Sequence, residues 1–268
     1  MVLGLGSYTF RWSIGHKGLN PPQPLSASDL LDVAKAQDLA VVQYADNCPL
    51  HLLSADELAS LKSKADAFGI AIELGTQSFN AQEVEDYVAV GQSVGAKILR
   101  VALDGPDAKT PIVDLAAAFQ ALLPKAKDAG LRIAIENHFN YPSPRLVQLL
   151  DAIDDDGVGV CLDVANSICA GEWPMETVSM LATHTINLHL KDYVIVPDPY
   201  GVGFAIHGCP LGKGRTDCRA VLDAMPTQDM TVIMEHWLPR TDDMARARQQ
   251  EHDWLTQSVL YARNELGL

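Results

Sequence analysis

The sequence predicts a single (β/α)8 TIM barrel, an α/β fold that forms one domain over residues 1–268. Short β-branched runs alternate with longer segments of helical period, and eight of each follow one another along the chain. A chain of 268 residues, 48% of them hydrophobic, can bury the core of one such barrel. The pattern is not divided by a Pro-, Ser- or Gly-rich linker, so a second domain is not expected.

The predicted strands are short runs rich in Val, Ile and Leu. In chain order they are Val2–Gly6, Ala40–Ala45, Ile70–Leu74, Ile98–Val101, Arg132–Ile135, Val158–Leu162, Thr185–Leu190 and Thr231–Met234. The helical patterns between and after them lie near Ser28–Asp38, Ser54–Phe68, Ala81–Val94, Pro111–Ala129, Pro144–Ile153, Met175–Leu181, Thr216–Met225 and Asp242–Glu265. Ser28 and Ser54 are expected N-caps, and Glu57 completes a capping box after Ser54. Gly69 and Gly130 are expected where helices end.

The charge and the cysteines exclude several classes of protein. Asp and Glu number 34 against 20 Lys and Arg, a formal net charge of −14, which argues against binding to nucleic acid or to an anionic membrane surface. The N-terminal segment lacks the pattern of a signal peptide, and no apolar run approaches the length of a membrane span. The cysteines form no CxxC pair: Cys48, Cys161, Cys169, Cys209 and Cys218. We therefore expect a reduced, cytoplasmic protein.

One long connection, residues 192–215, leaves the seventh predicted strand and is rich in Gly and Pro. Loops of this length in a compact domain are usually functional, and this one starts at the end of the barrel where active sites lie. We expect a loop over the mouth of the barrel, and His207 within it is a candidate substrate contact. Whether this loop moves as a lid is left open.

Polar side chains collect at the carboxyl ends of the last four predicted strands. They are Glu136, Asp163, His189 and Glu235, one from each strand. Because parallel strands of a barrel end at one mouth, these groups can meet at one point. Three carboxylates and one imidazole suit a hard divalent ion with open positions for a substrate. We expect Mn²⁺, with Mg²⁺, Co²⁺ or Zn²⁺ as alternatives; the other reading is an ion-paired polar cluster without a metal.

At these residues the sequence resembles the xylose isomerase-like TIM barrel family of sugar isomerases, epimerases and related lyases. The matching pieces are IENH, CLDVANS, HLKD, GCPLGKGRTD and MEHW, and the resemblance covers nearly the whole chain. The resemblance implies one divalent metal, bound by Glu136, Asp163, His189 and Glu235, with the substrate's carbonyl and hydroxyl oxygens on the same ion. It also implies that Glu136 and Glu235 act as the acid/base pair, and that the chain forms a dimer or tetramer.

We expect an isomerase or epimerase of a small keto-sugar or sugar acid, working through an enediolate whose charge the metal stabilises. Two positions depart from the epimerases: Asn166 stands where many carry a His, and Ile195 where many carry an Arg. The alternative is therefore a lyase on the same scaffold, a decarboxylase or dehydratase of a 3-oxo sugar acid, such as a 3-oxo-isoapionate-type decarboxylase or an inosose-type dehydratase. A sugar-binding barrel without catalysis is a third reading.

Three cations are expected at the mouth, and they favour an anionic group on the substrate. Arg11 follows the first strand and Arg100 ends the fourth. Lys191 lies two residues past His189 and could also pair with Asp192 or act as an acid. The alternative is that the arginines pair with acids of the mouth such as Glu73, Asp46 and Asp104. The other candidate substrate contacts are polar residues that follow strands two, five and six: His51, His138 and Asn166.

Overall fold

Ten strands form in the computed structural model, which describes residues 1–268 except the side chain of Ala81. They are β1 (Val2–Gly6), β2 (Val41–Tyr44), β3 (Ala71–Thr76), β4 (Ile98–Ala102), β5 (Arg132–Glu136), β6 (Val158–Asp163), β7 (Thr185–Leu190), β8 (Asp192–Pro197), β9 (Phe204–Cys209) and β10 (Thr231–Met234). Eight of them close into a parallel barrel in the order β1-β10-β7-β6-β5-β4-β3-β2. The predicted TIM barrel is confirmed.

Helices surround the barrel and pack their apolar faces on it. They are α1 (Arg11–Ile14), α2 (Ala27–Ala36), α3 (Ala55–Phe68), α4 (Ala81–Val94), α5 (Ile112–Asp128), α6 (Ser143–Ile153), α7 (Pro174–Leu181), α8 (Cys218–Asp223) and α9 (Met244–Tyr261). The main core lies between the helices and the barrel and includes fully buried Leu30, Phe119 and Leu149. Across the described residues, no helix combines the length and the apolar character needed to cross a bilayer.

The helix ends agree with the sequence at three of the four expected signals. Ser54 and Glu57 form the expected capping box, and Gly69 and Gly130 adopt the left-handed conformation at φ 70° and 74°. The N-cap expected at Ser28 is wrong, because α2 begins two residues earlier. Ser26 accepts the backbone N–H of the third helical residue, whose carboxylate in return accepts the N–H of Ser26.

The expected long loop at residues 192–215 is wrong in its first part, where β8 and β9 form an antiparallel hairpin. Its strands pair from Asp192 opposite Cys209 to Pro197 opposite Phe204. The run Val194–Val196 is β-branched, which favours a strand over an irregular loop. The segment after the hairpin is tied back by Asp192, which accepts the backbone N–H groups of Gly214 and Thr216 at 2.8 and 2.9 Å.

Candidate active site

The carboxyl ends of the barrel strands open into a cavity of about 1260 Å³. Glu136 and Glu235 line its floor, and the other two strand-end residues, Asp163 and His189, lie buried directly behind them. Register explains why they meet. Asp163 lies opposite His189 in the β6–β7 ladder, while Glu136 ends β5 and Glu235 directly follows β10. Each side chain therefore turns inward at nearly the same height of the barrel.

His189 lies at the centre of this group. Its Nδ1 is 3.2 Å from Glu136 Oε1, 3.7 Å from Asp163 Oδ2 and 3.6 Å from Glu235 Oε2. Its Nε2 lies 2.7 Å from Gln43 Oε1. Because the amide oxygen of Gln43 can only accept, the geometry assigns the proton to Nε2 and directs the lone pair of Nδ1 toward the carboxylates.

The donor atoms fit a divalent metal ion. Glu136, Asp163 and His189 each offer one ligand atom, and these atoms lie within 4.8 Å of one another. His189 Nδ1 and Glu235 Oε1 are shielded from solvent and have no hydrogen-bond partner among the described residues, which is costly for buried polar atoms without a ligand. A mostly carboxylate set with one imidazole is typical of hard or borderline divalent ions. Glu235, which contacts His189, is placed to be a fourth ligand.

Two of the three predicted cations pair with these acids. Arg100 Nε lies 3.4 Å from Glu136 Oε2, and Lys191 Nζ lies 2.5 Å from Asp163 Oδ2 and 3.0 Å from Glu235 Oε2. Burial alone would raise the pKa of Glu136, but the guanidinium of Arg100 holds it below its ordinary value. Burial would likewise lower the pKa of Lys191, but the facing carboxylates raise it above its ordinary value. The ammonium of Lys191 is therefore part of the floor.

Neighbouring side chains orient the carboxylates. Asn166 donates from Nδ2 to Glu136 Oε1 at 3.1 Å, so it acts on Glu136 while also lining the cavity. Asn137 holds the end of β6 by exchanging two hydrogen bonds of 2.7 Å with the backbone of Asp163. Gly6 leaves room for a carboxylate, since a Cβ there would lie 2.6 Å from Glu235 Oε1.

A polar layer beneath His189 was not expected from the sequence. Glu73 accepts from Gln43 Nε2 at 3.0 Å, from Asn187 Nδ2 at 3.0 Å and from Thr231 Oγ1 at 2.7 Å. Gln43 in turn accepts from His189, so this layer sets the ring orientation and tautomer of the imidazole. The available signal was a polar residue within each apolar strand run, VVQY, AIELG and TINLHL.

The remaining predicted substrate contacts fall into two groups. Arg11, His138 and His207 line the cavity, and His138 Nδ1 lies 3.5 Å from Asp104 Oδ2. His51 is not among the described residues that line the cavity; its ring packs 4.7 Å from the ring of Tyr87. The structure thus brings together the four strand-end residues, the three cations and two of the three candidate histidines.

Comparisons with known proteins agree with the fold. Residues 17–258 match the sequence model of a family described as xylose isomerase-like TIM barrel. The chain is 28% identical to the 3-oxo-isoapionate decarboxylase of Pectobacterium atrosepticum over 268 residues, which cover 98% of this chain and 96% of that protein. Both chains are therefore aligned over almost their whole length.

Solved structures show the same barrel. A D-psicose 3-epimerase determined in the presence of D-fructose aligns with a TM-score of 0.73 at 14% identity, covering 100% of both chains. A xylose isomerase-like TIM barrel protein from Mycobacterium smegmatis, determined in complex with magnesium, aligns with a TM-score of 0.67 at 16% identity, covering 97% of both. At these identities the likeness establishes the fold, and the choice of reaction depends on the residues of the mouth.

Proposed function

The chain belongs to the xylose isomerase-like TIM barrel family, and we propose that it is a divalent-metal-dependent lyase that removes CO₂ from a 3-oxo sugar acid. The observation that carries the proposal is the position of Lys191, whose ammonium lies between Asp163 and Glu235 at the floor of the mouth. The alignment with 3-oxo-isoapionate decarboxylase over nearly the whole of both chains supports the same substrate class.

Decarboxylation of a 3-oxo acid places two demands on a site. The bond between the carboxyl carbon and its neighbour breaks, CO₂ leaves, and the electron pair passes into the adjacent keto group. A divalent ion, when bound, supplies the Lewis acidity that this charge requires. Glu136, Asp163 and His189 would hold that ion, and their burial keeps water from screening its charge.

The second demand is a proton for the carbon that has lost CO₂. Lys191 lines the cavity and carries an ammonium group, so it can donate that proton and recover one from solvent. A decarboxylase needs no base to remove a carbon-bound proton. That agrees with a site in which Arg100 pairs with Glu136 and Lys191 pairs with Glu235, because a cation on a carboxylate weakens it as a base.

A second candidate is the isomerase or epimerase that the sequence favours. Glu136 Oε1 and Glu235 Oε2 lie 3.2 and 3.6 Å from His189 Nδ1, one at the end of β5 and the other just after β10. An epimerase would use two such carboxylates, one to remove a carbon-bound proton and one to return it. Under this reading the same two residues act as acid and base on a hydroxy-ketone. The two candidates share a metal and differ in whether CO₂ leaves.

For the metal we propose Mn²⁺, with Mg²⁺, Co²⁺ and Zn²⁺ as alternatives, since carboxylates outnumber imidazoles in the donor set. Stripping the protein with chelator and titrating each ion back separates these alternatives by affinity. Variants His189→Ala and Asp163→Asn should lose the bound ion. Stoichiometric ion in both variants would contradict the assignment of the site.

The reaction is tested with a panel of 3-oxo sugar acids and keto-sugars in D₂O, with the metal-loaded protein. We expect CO₂ release and one deuterium at the carbon that carried the carboxylate. Lys191→Met should lower the rate roughly a hundredfold or more, the usual contribution of a general acid. Lys125→Met, on the exposed face of α5, is the matched control and should leave the rate unchanged. A deuterated product of unchanged carbon skeleton would instead support the epimerase.

A further inference from the structure

Arg11 differs from the other two cations that the sequence predicts at the mouth, Arg100 and Lys191. Arg100 and Lys191 are neutralised by carboxylates of the floor. Among the described residues, the side chain of Arg11 forms neither an ion pair nor a hydrogen bond, and its Nε is shielded from solvent. Glu235 and Glu251 act on Arg11 only from beyond ion-pair distance, and a largely buried guanidinium without a direct partner costs free energy unless a ligand supplies one. Of the three predicted cations, Arg11 is therefore the one that no carboxylate of the floor neutralises.

We propose that Arg11 binds the carboxylate of the substrate and thereby selects sugar acids over neutral sugars. This inference rests on the proposed function, because it names the residue that recognises the acidic group at the same site. Arg11 lines the cavity together with Glu136, Lys191 and Glu235. A planar guanidinium can hold a carboxylate through two parallel hydrogen bonds, which fixes both the position and the orientation of the bond to be broken.

Aromatic side chains hold the guanidinium at the wall of the cavity. Its central carbon lies 5.6 Å from the centre of the Tyr8 ring and 5.9 Å from that of Trp12. Both rings also line the cavity, so one side of the guanidinium faces aromatic carbon while its N–H groups remain available. Tyr8 donates its own hydroxyl to Asp46 Oδ2 at 2.9 Å, which fixes the ring that lies beside the guanidinium.

The backbone next to Arg11 is fixed by a buried carboxylate outside the mouth. Glu251, on α9, accepts the backbone N–H of Trp12 at 2.7 Å and both the N–H and the hydroxyl of Ser13 at 3.0 and 2.6 Å. Trp12 also donates its indole N–H to the carbonyl of Leu238 at 3.0 Å. Helix α1 is thus bound to α9 and to the segment after β10. An arginine on such a fixed turn is pre-organised for a ligand.

The inference is tested by binding erythronate and erythritol to the Mn²⁺-loaded protein by calorimetry. The two molecules differ in having a carboxylate or a hydroxymethyl group at one end, and neither can lose CO₂ by the proposed reaction. We expect the wild-type protein to bind erythronate roughly tenfold or more tightly than erythritol, the range of a charge-assisted pair. Arg11→Met should bring that ratio close to one without changing the affinity for erythritol or for Mn²⁺.

Two further variants keep the test decisive. Arg11→Lys retains the positive charge but cannot donate two parallel hydrogen bonds, so it should give an intermediate affinity ratio. This variant still tests the inference if Arg11→Met folds poorly. Arg246→Met removes an exposed charge from the first turn of α9 and should keep the wild-type ratio. An unchanged ratio in both Arg11 variants would overturn the inference. Arg11-dependent binding of erythronate without CO₂ release from any 3-oxo acid would leave it standing and reject the proposed lyase.

Discussion

The two ends of the barrel carry the same types of residue in very different surroundings. At the mouth, Glu136 and Lys191 line the floor of a cavity, and Asp163 and His189 lie buried against them. At the opposite end, a cavity of about 400 Å³ is lined by a second set, here called the lower cluster: Arg132, Asp154, Asp155, Asp156 and His184. Each end thus combines carboxylates, a histidine and a cation. A reading of residue types alone would rate them as similar sites.

Exposure to solvent separates the two ends. At the mouth, the side chains of Arg100 and Glu136 are both 3% exposed. Beside the lower cluster, Lys127 pairs with Asp155 and Asp156; the side chain of Lys127 is 44% exposed and that of Asp156 is 97% exposed. Water solvates each charge of the lower cluster, so those pairs stabilise the fold little. The buried charges of the mouth depend on one another or on a ligand, which is why the mouth is the candidate site.

The largest expected effect is on metal affinity when the central residue of the mouth, His189, is replaced. His189→Ala removes the nitrogen on which three carboxylates converge, and we expect the affinity for Mn²⁺ to fall by more than roughly a hundredfold, beyond the loss typical of a residue that only supports a ligand. Equilibrium dialysis with metal analysis measures this. His184→Ala in the lower cluster is the control and should bind Mn²⁺ as the wild type does. Equal loss in the two variants would remove the distinction between the ends.

The next effect concerns the stability of the metal-free protein. Lys191→Met leaves Asp163 and Glu235 without their ammonium partner, and losing one partner of a buried pair costs about 3–5 kcal/mol of the free energy of unfolding. Lys127→Met at the exposed pair should cost about 0–1 kcal/mol. Denaturant unfolding in chelator measures both, and added Mn²⁺ should reduce the loss in Lys191→Met. A similar loss of unfolding free energy in both variants would show that burial does not make the ion pairs of Lys191 stronger than those of Lys127.

A smaller effect probes the layer beneath the mouth. Gln43→Leu removes the acceptor of His189 Nε2–H and one donor to Glu73, and we expect Mn²⁺ affinity to fall roughly tenfold to a hundredfold. Gln120→Leu, on the exposed face of α5, serves as the matched control. Wild-type metal affinity in the Gln43 variant would show that the contact of Gln43 with His189 does not support metal binding.

The smallest expected effect lies in the lower cluster itself. Asp155→Asn weakens an exposed pair with Lys127, and we expect the free energy of unfolding to change by less than about 1 kcal/mol, with no change in Mn²⁺ affinity. Thermal melts measure the change in stability, and metal titration measures the affinity for Mn²⁺. Loss of metal binding in this variant would place a second ion site at the lower end.

The pattern of the chain predicted the barrel and the strand-end residues with little error. Each predicted strand forms, because the hydrophobic runs that build a parallel strand are continuous in sequence. Glu136, Asp163, His189 and Glu235 meet because strand ends of a closed barrel must share one mouth. The hairpin after β7 was missed because its many glycines and prolines masked two runs of strand-forming residues.

Only the tertiary structure decided which charges of the mouth are paired. Lys191 pairs with Asp163 and Arg100 pairs with Glu136, whereas Arg11 pairs with no carboxylate, although the sequence places all three at one mouth. The contact of His189 with Gln43 joins residues 146 positions apart, so local sequence does not reveal it. Periodicity determines which face a residue takes, whereas pairing and burial depend on distances that exist only once the barrel has closed.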